Sequence, residues 1–440
     1  MNRKTKRVLK KEKDLIKEIF KIVKQYFPDL LDMLGNLTDV RHQSYIDYSM
    51  KVVIVTRLLA LLSGINTMDG ITDKMYDENT VKNISNIVSE KIDEMPHEDT
   101  INNVFVTLNE TELRAIQKYM CNSLIRSKMI DKYRYKGYFQ ILVDATGLYS
   151  SRIKYNDSCL IKNKKDKEGN EYKEYSTMVL EAKLVAGPLI LSFDTEFIEN
   201  SDYDETIVSE ELRKQDCEIK AFKRMASRIK NNYPKLPIII CGDSLYASRP
   251  VMEICKNYNW HYLIRFKKGS IPTLGYEFEK LEKTVKGAYM YDNNVVFGSC
   301  QKDIGYTNVI SYKETKASRK TEFVYITSIE ICSKNYKDIV TLGRKRWKIE
   351  NEGFNNQKNN EYSITHLCSR HDVGLKSHYY LIQISDIIKQ LLCHGSKELK
   401  GLKLKIKEVS ALILETLTHI ISDLSNLERL QLRFDDISVT

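Results

Sequence analysis

The sequence predicts a mixed α/β protein: a sheet-bearing centre with a β-rich stretch inserted into it, an all-helical region before it and helices after it. Three observations carry this. Apolar residues recur at helical spacing almost throughout 1–130. From residue 138 the pattern becomes short, nearly wholly apolar runs stopped by aspartate or by glycine and proline. Beyond 370 helical spacing returns.

In the first region Leu15, Ile16, Ile19, Phe20, Ile22 and Val23 recur behind a Lys/Arg-rich run over 3–13. The stretches 52–62, 81–88 and 101–129 continue in that style. The apolar run 52–65 is interrupted by Arg57 and is too short to span a bilayer, so it reads as a buried helix. From 138 onward, 139–143 is a buried strand ending at Asp144, and 178–185 with 189–193 is a hairpin around Gly187-Pro188. Residues 212–229 are helical, 238–241 is a second buried strand stopping at Gly242-Asp243, 251–258 is a helix and 261–266 a strand. Strands at 288–296, 309–312 and 323–329 make the β-rich stretch, and helices follow at 379–392 and 402–424. The implied division is 1–130 helical, 131–267 with 334–395 as the core, 268–333 as the insertion and 396–440 as a C-terminal helical segment.

A chain of 440 residues exceeds one ordinary core. With 42% hydrophobic and 29% charged residues it reads as a soluble, folded protein. A net charge of +10 suits a polyanionic partner. Nine cysteines without a Cys-x-x-Cys pair fit reduced thiols, and the lysine-rich start lacks a signal core; a cytoplasmic protein is expected. His366, Cys368 and His371 are close enough in sequence to hold zinc, but only three ligand candidates are local, which disfavours that reading.

Three carboxylates stand out. Asp144 follows a nearly wholly apolar run, and Asp243 follows three isoleucines, a cysteine and a glycine. A carboxylate at the end of a buried strand is costly unless metal, proton or hydrogen bonds satisfy it. Either one alone also reads as a turn former or cap. The third is Glu350, within Arg346-Trp347-Lys348-Ile349-Glu350-Asn351-Glu352-Gly353-Phe354. On a helix, Arg346, Glu350 and Phe354 share a side, with Gln357 and Lys358 a turn further on. That helix reads either as a solvated surface with an Arg–Glu pair or as a carboxylate among phosphate-holding cations. Three carboxylates from separate elements of one layer can hold two hard cations for phosphoryl transfer.

Three passages, Val143-Asp144-Ala145-Thr146-Gly147, Gly242-Asp243-Ser244-Leu245-Tyr246-Ala247 and 346–354, together resemble the DDE transposases of the insertion-sequence, IS-four-type group. The resemblance covers roughly 130–395 and implies a ribonuclease-H-like core with a β-rich insertion before the glutamate helix. It implies that Asp144, Asp243 and Glu350 are the catalytic, Mg²⁺-binding triad, with Mn²⁺ a possible substitute. It implies that Arg346 meets a phosphate of the element end and that Trp347 stacks on unpaired flanking bases; a Trp packed beside Ile349 is the other reading. Double-stranded DNA with terminal inverted repeats, target DNA and a homodimeric synaptic complex are the implied partners.

The family's helix signature is Tyr, Arg three later, Glu four later and Lys seven later. Here Gly343 stands at the Tyr position and Gln357 at the Lys position, with Lys358 one beyond. Lys358 is expected to reach the phosphate by its length. Lys267 and Lys268 are expected to line a DNA channel or to be solvated. Glu352 reads as surface, Asp194 and Glu196 as a polar sheet edge or supports of the site, and Tyr362, His366 and His371 as possible neighbours of DNA. Besides a transposase, the sequence leaves a catalytically inactive transposase-derived DNA-binding protein and a metal-dependent nuclease as alternatives.

Overall fold

Strand β1 (Phe139–Ser151) is flanked by the antiparallel β3 (Glu171–Ala186) and by the parallel β5 (Ile238–Gly242). These pairings are seen in a computed structural model that describes residues 13–200, 216–298, 305–316, 319–402, 404–430 and 432–434. The basic run 3–13 lies, apart from Lys13, outside the described residues.

Beside β3 lie β2 (Leu160–Lys165) and β4 (Leu189–Ile198), which pair with its first and second halves. The expected hairpin around Gly187-Pro188 is β3–β4, with Gly187 at φ +62° where a side chain would strain the turn. On the other side β5 pairs in parallel with β6 (His261–Arg265). The inserted stretch supplies β7 (Thr284–Lys286), β8 (Tyr289–Phe297), β9 (Gly305–Lys316) and β10 (Arg319–Thr327). β10 pairs antiparallel with β6, so the insertion extends the core sheet to ten strands in the order β2-β3-β1-β5-β6-β10-β9-β8-β7, with β4 beside β3. The outer backbone groups of β6 would otherwise be an open edge. This mixed sheet with helices on both faces is the ribonuclease-H-like core expected.

Among the described residues seven α-helices precede the sheet: α1 (Leu15–Tyr26), α2 (Leu30–Gly35), α3 (Met50–Leu62), α4 (Asp69–Met75), α5 (Glu78–Val88), α6 (Glu98–Phe105) and α7 (Glu110–Arg126). α3 is the expected buried helix. Its Arg57 is fully buried, and the guanidinium donates to the carbonyls of Ile65 and Asn66 at 3.1 and 2.8 Å, which is how an interior charge stays satisfied. α8 (Glu218–Asn232) and α9 (Arg249–Asn257) connect the core strands. The helix expected from 212 begins at Glu218; residues 212–215 lie outside the described residues. A helix not expected, α10 (Pro272–Lys280), opens the insertion.

After β10 come α11 (Tyr336–Arg344), two π-helical turns at Ile349–Phe354 and Asn356–Glu361, α12 (Asp372–Gly395), α13 (Lys397–Leu402) and α14 (Ile406–His419). The last helix is shorter than the expected 402–424. It returns to the N-terminal helices: the Asn83 amide donates to the carbonyls of Leu417 and Ile420 at 2.8 and 2.7 Å. The two helical ends of the chain therefore share one layer.

Alternation along the strands sorts the two faces. Ile141, Val143 and Ile240 join the large core with Phe222 and Met225 of α8. Leu142, Ile239 and Cys241 join a second core with Ile339 and Leu342 of α11 and with Ile349 and Phe354.

Candidate active site

β5 accompanies β1 only from Phe139↔Ile238 to Leu142↔Cys241. Continuing that register two residues sets Asp243 level with Asp144 across the gap where β5 stops. Asp144 was expected at the end of its strand; it lies inside β1, because β3 continues alongside and pairs Asp144 with Glu181. One flank of β1 is thus held by β3 while the other is open at Asp144. By alternation Asp144 falls on the Leu142 face, the face covered by the glutamate segment. Asp243 forms a turn in which its Oδ1 accepts from the Leu245 N–H at 2.8 Å.

The glutamate segment is not a plain α-helix. The N–H of Asn355 bonds to the carbonyl of Glu350 and that of Tyr362 to Gln357, each five residues back instead of four. Every such turn takes one more residue, so the facing pattern expected from α spacing shifts. Phe354 is buried, while the Glu350 side chain is 54% exposed. Gln357 is buried and its amide donates to Asp386 and Gln383 of α12 at 2.9 and 3.0 Å. The residue eight after Glu350, Lys358, takes the place on the site side that the residue seven after would hold on an α-helix. Burial lowers the Lys358 pKa, while the charges of Glu350 and Asp144 act to raise it.

Arg346 links the carboxylates. Its guanidinium stands 3.4 Å from Asp144 Oδ2 and 3.9 Å from Glu350 Oε2, and lies 4.7 Å from the ring centre of Trp347. Burial pushes the Asp144 carboxyl up to about 6; Arg346 opposes this, while Asp243 and Glu350 add to it. Trp347 is 48% exposed, which removes the reading of a packed core Trp. Gly343 has no room for a side chain: an added Cβ would come within 2.6 Å of the Tyr325 ring from β10.

Lys267 and Lys268 leave β6 at the same end as Asp243, since Gly242 pairs with Ile264, and the Ser270 hydroxyl donates to the Ser244 carbonyl at 3.0 Å. Both lysines are exposed, and Lys268 is paired with Glu279. Other candidates fall elsewhere. Asp194 and Glu196 are on an edge strand but buried: Arg228 of α8 binds Asp194 Oδ1 at 3.0 Å and Glu196 Oε2 at 2.7 Å, clamping helix to strand. Tyr362 is buried against Lys389, out of reach of DNA. Glu352 is a surface partner of Lys348 at 3.0 Å. Two residues near the acidic pair were not singled out from the sequence, Glu218 and Tyr246, whose hydroxyl donates to Glu218 at 3.3 Å. Tyr246 lies three residues after Asp243 within a passage read for its aspartate alone.

Among the described residues no three acidic, histidine or cysteine side chains already stand close enough to hold a metal ion. The donor chemistry still fits a hard divalent cation. Asp144, Asp243 and Glu350 offer only carboxylate oxygens, and their mutual repulsion, visible at Asp144, is what a cation relieves.

Compared with known families, residues 212–385 match the family described as transposase DDE domain, and residues 31–120 match the one described as DDE_Tnp_1-associated. Together the two matches cover more than half of the chain; Asp243 and Glu350 fall inside the first, and Asp144 lies between the two. No curated protein gives a significant match. Among the described residues no helix is long and apolar enough to cross a membrane.

Proposed function

We propose that this chain, which belongs to the DDE transposases, binds the ends of its own mobile element, cuts the DNA there and joins the freed 3′-hydroxyls to target DNA. Membership of the IS-four-type group is part of the same reading. The observation that carries it is the level placement of Asp144 and Asp243 at the gap beside β5, with Arg346 tying Glu350 to Asp144.

Asp144, Asp243 and Glu350 would hold the divalent cations, Mg²⁺ or Mn²⁺. When bound, such ions activate the attacking oxygen and stabilise the leaving one. The chain's own groups do the rest. Arg346 and Lys358 neutralise scissile-strand phosphate oxygens beside Glu350, as fork and point charge respectively. The exposed face of Trp347, backed by Arg346, stacks on an unpaired base without regard to its identity. Lys267 and Lys268 meet the backbone of the DNA as it passes the Asp243 turn. The helical layer containing residues 31–120 recognises the ends or supports pairing of two copies.

Strand-transfer assays on DNA carrying the element's inverted repeats test the assignment. Asp144→Asn and Glu350→Gln proteins that still join strands would sink it. Cutting without joining by the wild-type chain would reassign it as a nuclease on the same fold.

A further inference from the structure

Tyr246 occupies an unusual position for a tyrosine in a turn. It is fully buried beneath the Asp243 loop, and a Cβ added to Gly242 would come within 2.8 Å of its ring. Its N–H donates to the Asp243 carbonyl at 3.2 Å, and its own carbonyl accepts from Ser248 at 2.8 Å. The ring meets Phe222 of α8 edge-on at 5.7 Å. The turn that presents Asp243 is therefore wrapped around one aromatic ring, whose far end points to the first turn of α8.

There the hydroxyl donates to Glu218, 3.3 Å away. Glu218 is carried by a helix on the face opposite to Ile349 and Phe354, because α8 packs on the large core and not on the core of α11. Its carboxyl is raised first by burial and next by the charge of Asp144, with Asp243 contributing as well and Lys162 opposing. A carboxylate held among like charges with one hydroxyl donor is costly unless a cation offsets it.

We propose that Glu218 and Tyr246 are positioning residues for the metal-holding carboxylates. Tyr246 fixes the Asp243 turn, and Glu218, oriented by the tyrosine hydroxyl, adds a fourth acidic group on the α8 side that strengthens divalent-cation binding. The pair acts through Asp243 and through the field at Asp144. It rests on the reading of Asp144, Asp243 and Glu350 as the cation-holding set.

Binding of Mn²⁺ alone to the intact chain, followed by calorimetry or by electron paramagnetic resonance, gives a readout independent of DNA chemistry. Partners that orient metal ligands typically change affinity by about ten- to a hundredfold. Glu218→Gln and Tyr246→Phe are each expected to weaken Mn²⁺ binding by about tenfold. Without metal, Glu218→Gln should melt no lower than wild type, since it removes a carboxyl raised by burial and by like charges. Both proteins should keep the wild-type affinity for end DNA and raise the Mn²⁺ concentration giving half-maximal cleavage by the same factor. Glu218→Asp should recover part of the affinity, which a packing role would not require. If Asp243→Asn loses Mn²⁺ binding while Glu218→Gln and Tyr246→Phe both bind as wild type, the proposal is overturned and the reading of the triad stands. If Asp243→Asn binds Mn²⁺ as wild type, the reading beneath the proposal falls, and the proposal with it.

Discussion

Gln357 donates to the buried carboxylate of Asp386 at 2.9 Å, and this bond turns the residue seven after Glu350 into the protein interior. Its neighbour Lys358 is left on the side of Glu350 and Asp144. With Gln357 turned inward between π-helical turns, Lys358 is the cation that the proposed site assigns to this segment.

Lys358→Ala should therefore act on DNA and not on folding. A lost phosphate contact lowers the slope of log affinity against log salt by about 1. The melting temperature should not move. Gln357→Leu should do the reverse on stability: Asp386 loses one donor and the Gln383 amide its acceptor, although Gln390 and Lys183 still hold them, at a cost of about 1–3 kcal/mol. Salt-dependent binding to end DNA and thermal melting of both proteins check the pair.

Asp144→Asn should abolish cleavage and stabilise the metal-free chain. The carboxyl is raised to about 6, above its ordinary value of 3.8, so the folded state binds the proton more tightly than the unfolded one. Stability contributed by the protonated group is full below the unfolded value and is lost as pH rises from about 4 to about 6. At pH 7.5 without metal the substitution should gain about 1–2 kcal/mol, and at pH 4 nearly nothing. Denaturant melts at the two pH values measure it; an equal gain at both would contradict the origin in burial and neighbouring charge.

Arg228→Met should be among the most damaging changes outside the site. It leaves Asp194 and Glu196 without a guanidinium that holds both. Breaking a buried pair of this kind costs about 3–5 kcal/mol. Glu196 keeps Arg224, so the larger share falls on Asp194. Loss of soluble folded protein, or a much lower denaturation midpoint, is the expected result.

Gly343→Ala should destabilise although it adds one methyl group. The ring of Tyr325 occupies that space, and overpacking of this kind costs about 1–3 kcal/mol. Combining it with Tyr325→Leu should recover part of the loss in a denaturation series.

Much of the core was legible because burial writes itself as runs of apolar residues. The strands at 139–143 and 238–241, the hairpin around Gly187-Pro188 and both aspartates came from that signal. The extension of β1 past Asp144 was not legible, since Ala145 to Ser151 is of mixed polarity and is held by pairing with β3. The π turns were equally hidden: they depend on which side chains α12 accepts, and Gln357 is buried only because Asp386 and Gln383 await it. Glu218 carried no sequence signal, since the helix was read from 212 and the residue fell inside it; its bond to Tyr246 exists only once α8 is packed.

The sequence by itself determined a mixed α/β sheet, the helical regions at either end and three acidic residues worth pairing, because local hydrophobic pattern and the cost of burying charge act along the chain; the ribonuclease-H-like assignment came from the family resemblance of three short passages. The tertiary structure alone decided that β5 stops beside Asp144, that Arg346 stands between Asp144 and Glu350, that Gln357 turns inward to Asp386, and that the Tyr246 hydroxyl bonds Glu218 at the start of α8. Those relations depend on strand register, helix winding and the packing of α8, which are set between segments far apart in the chain and leave no mark in any one of them.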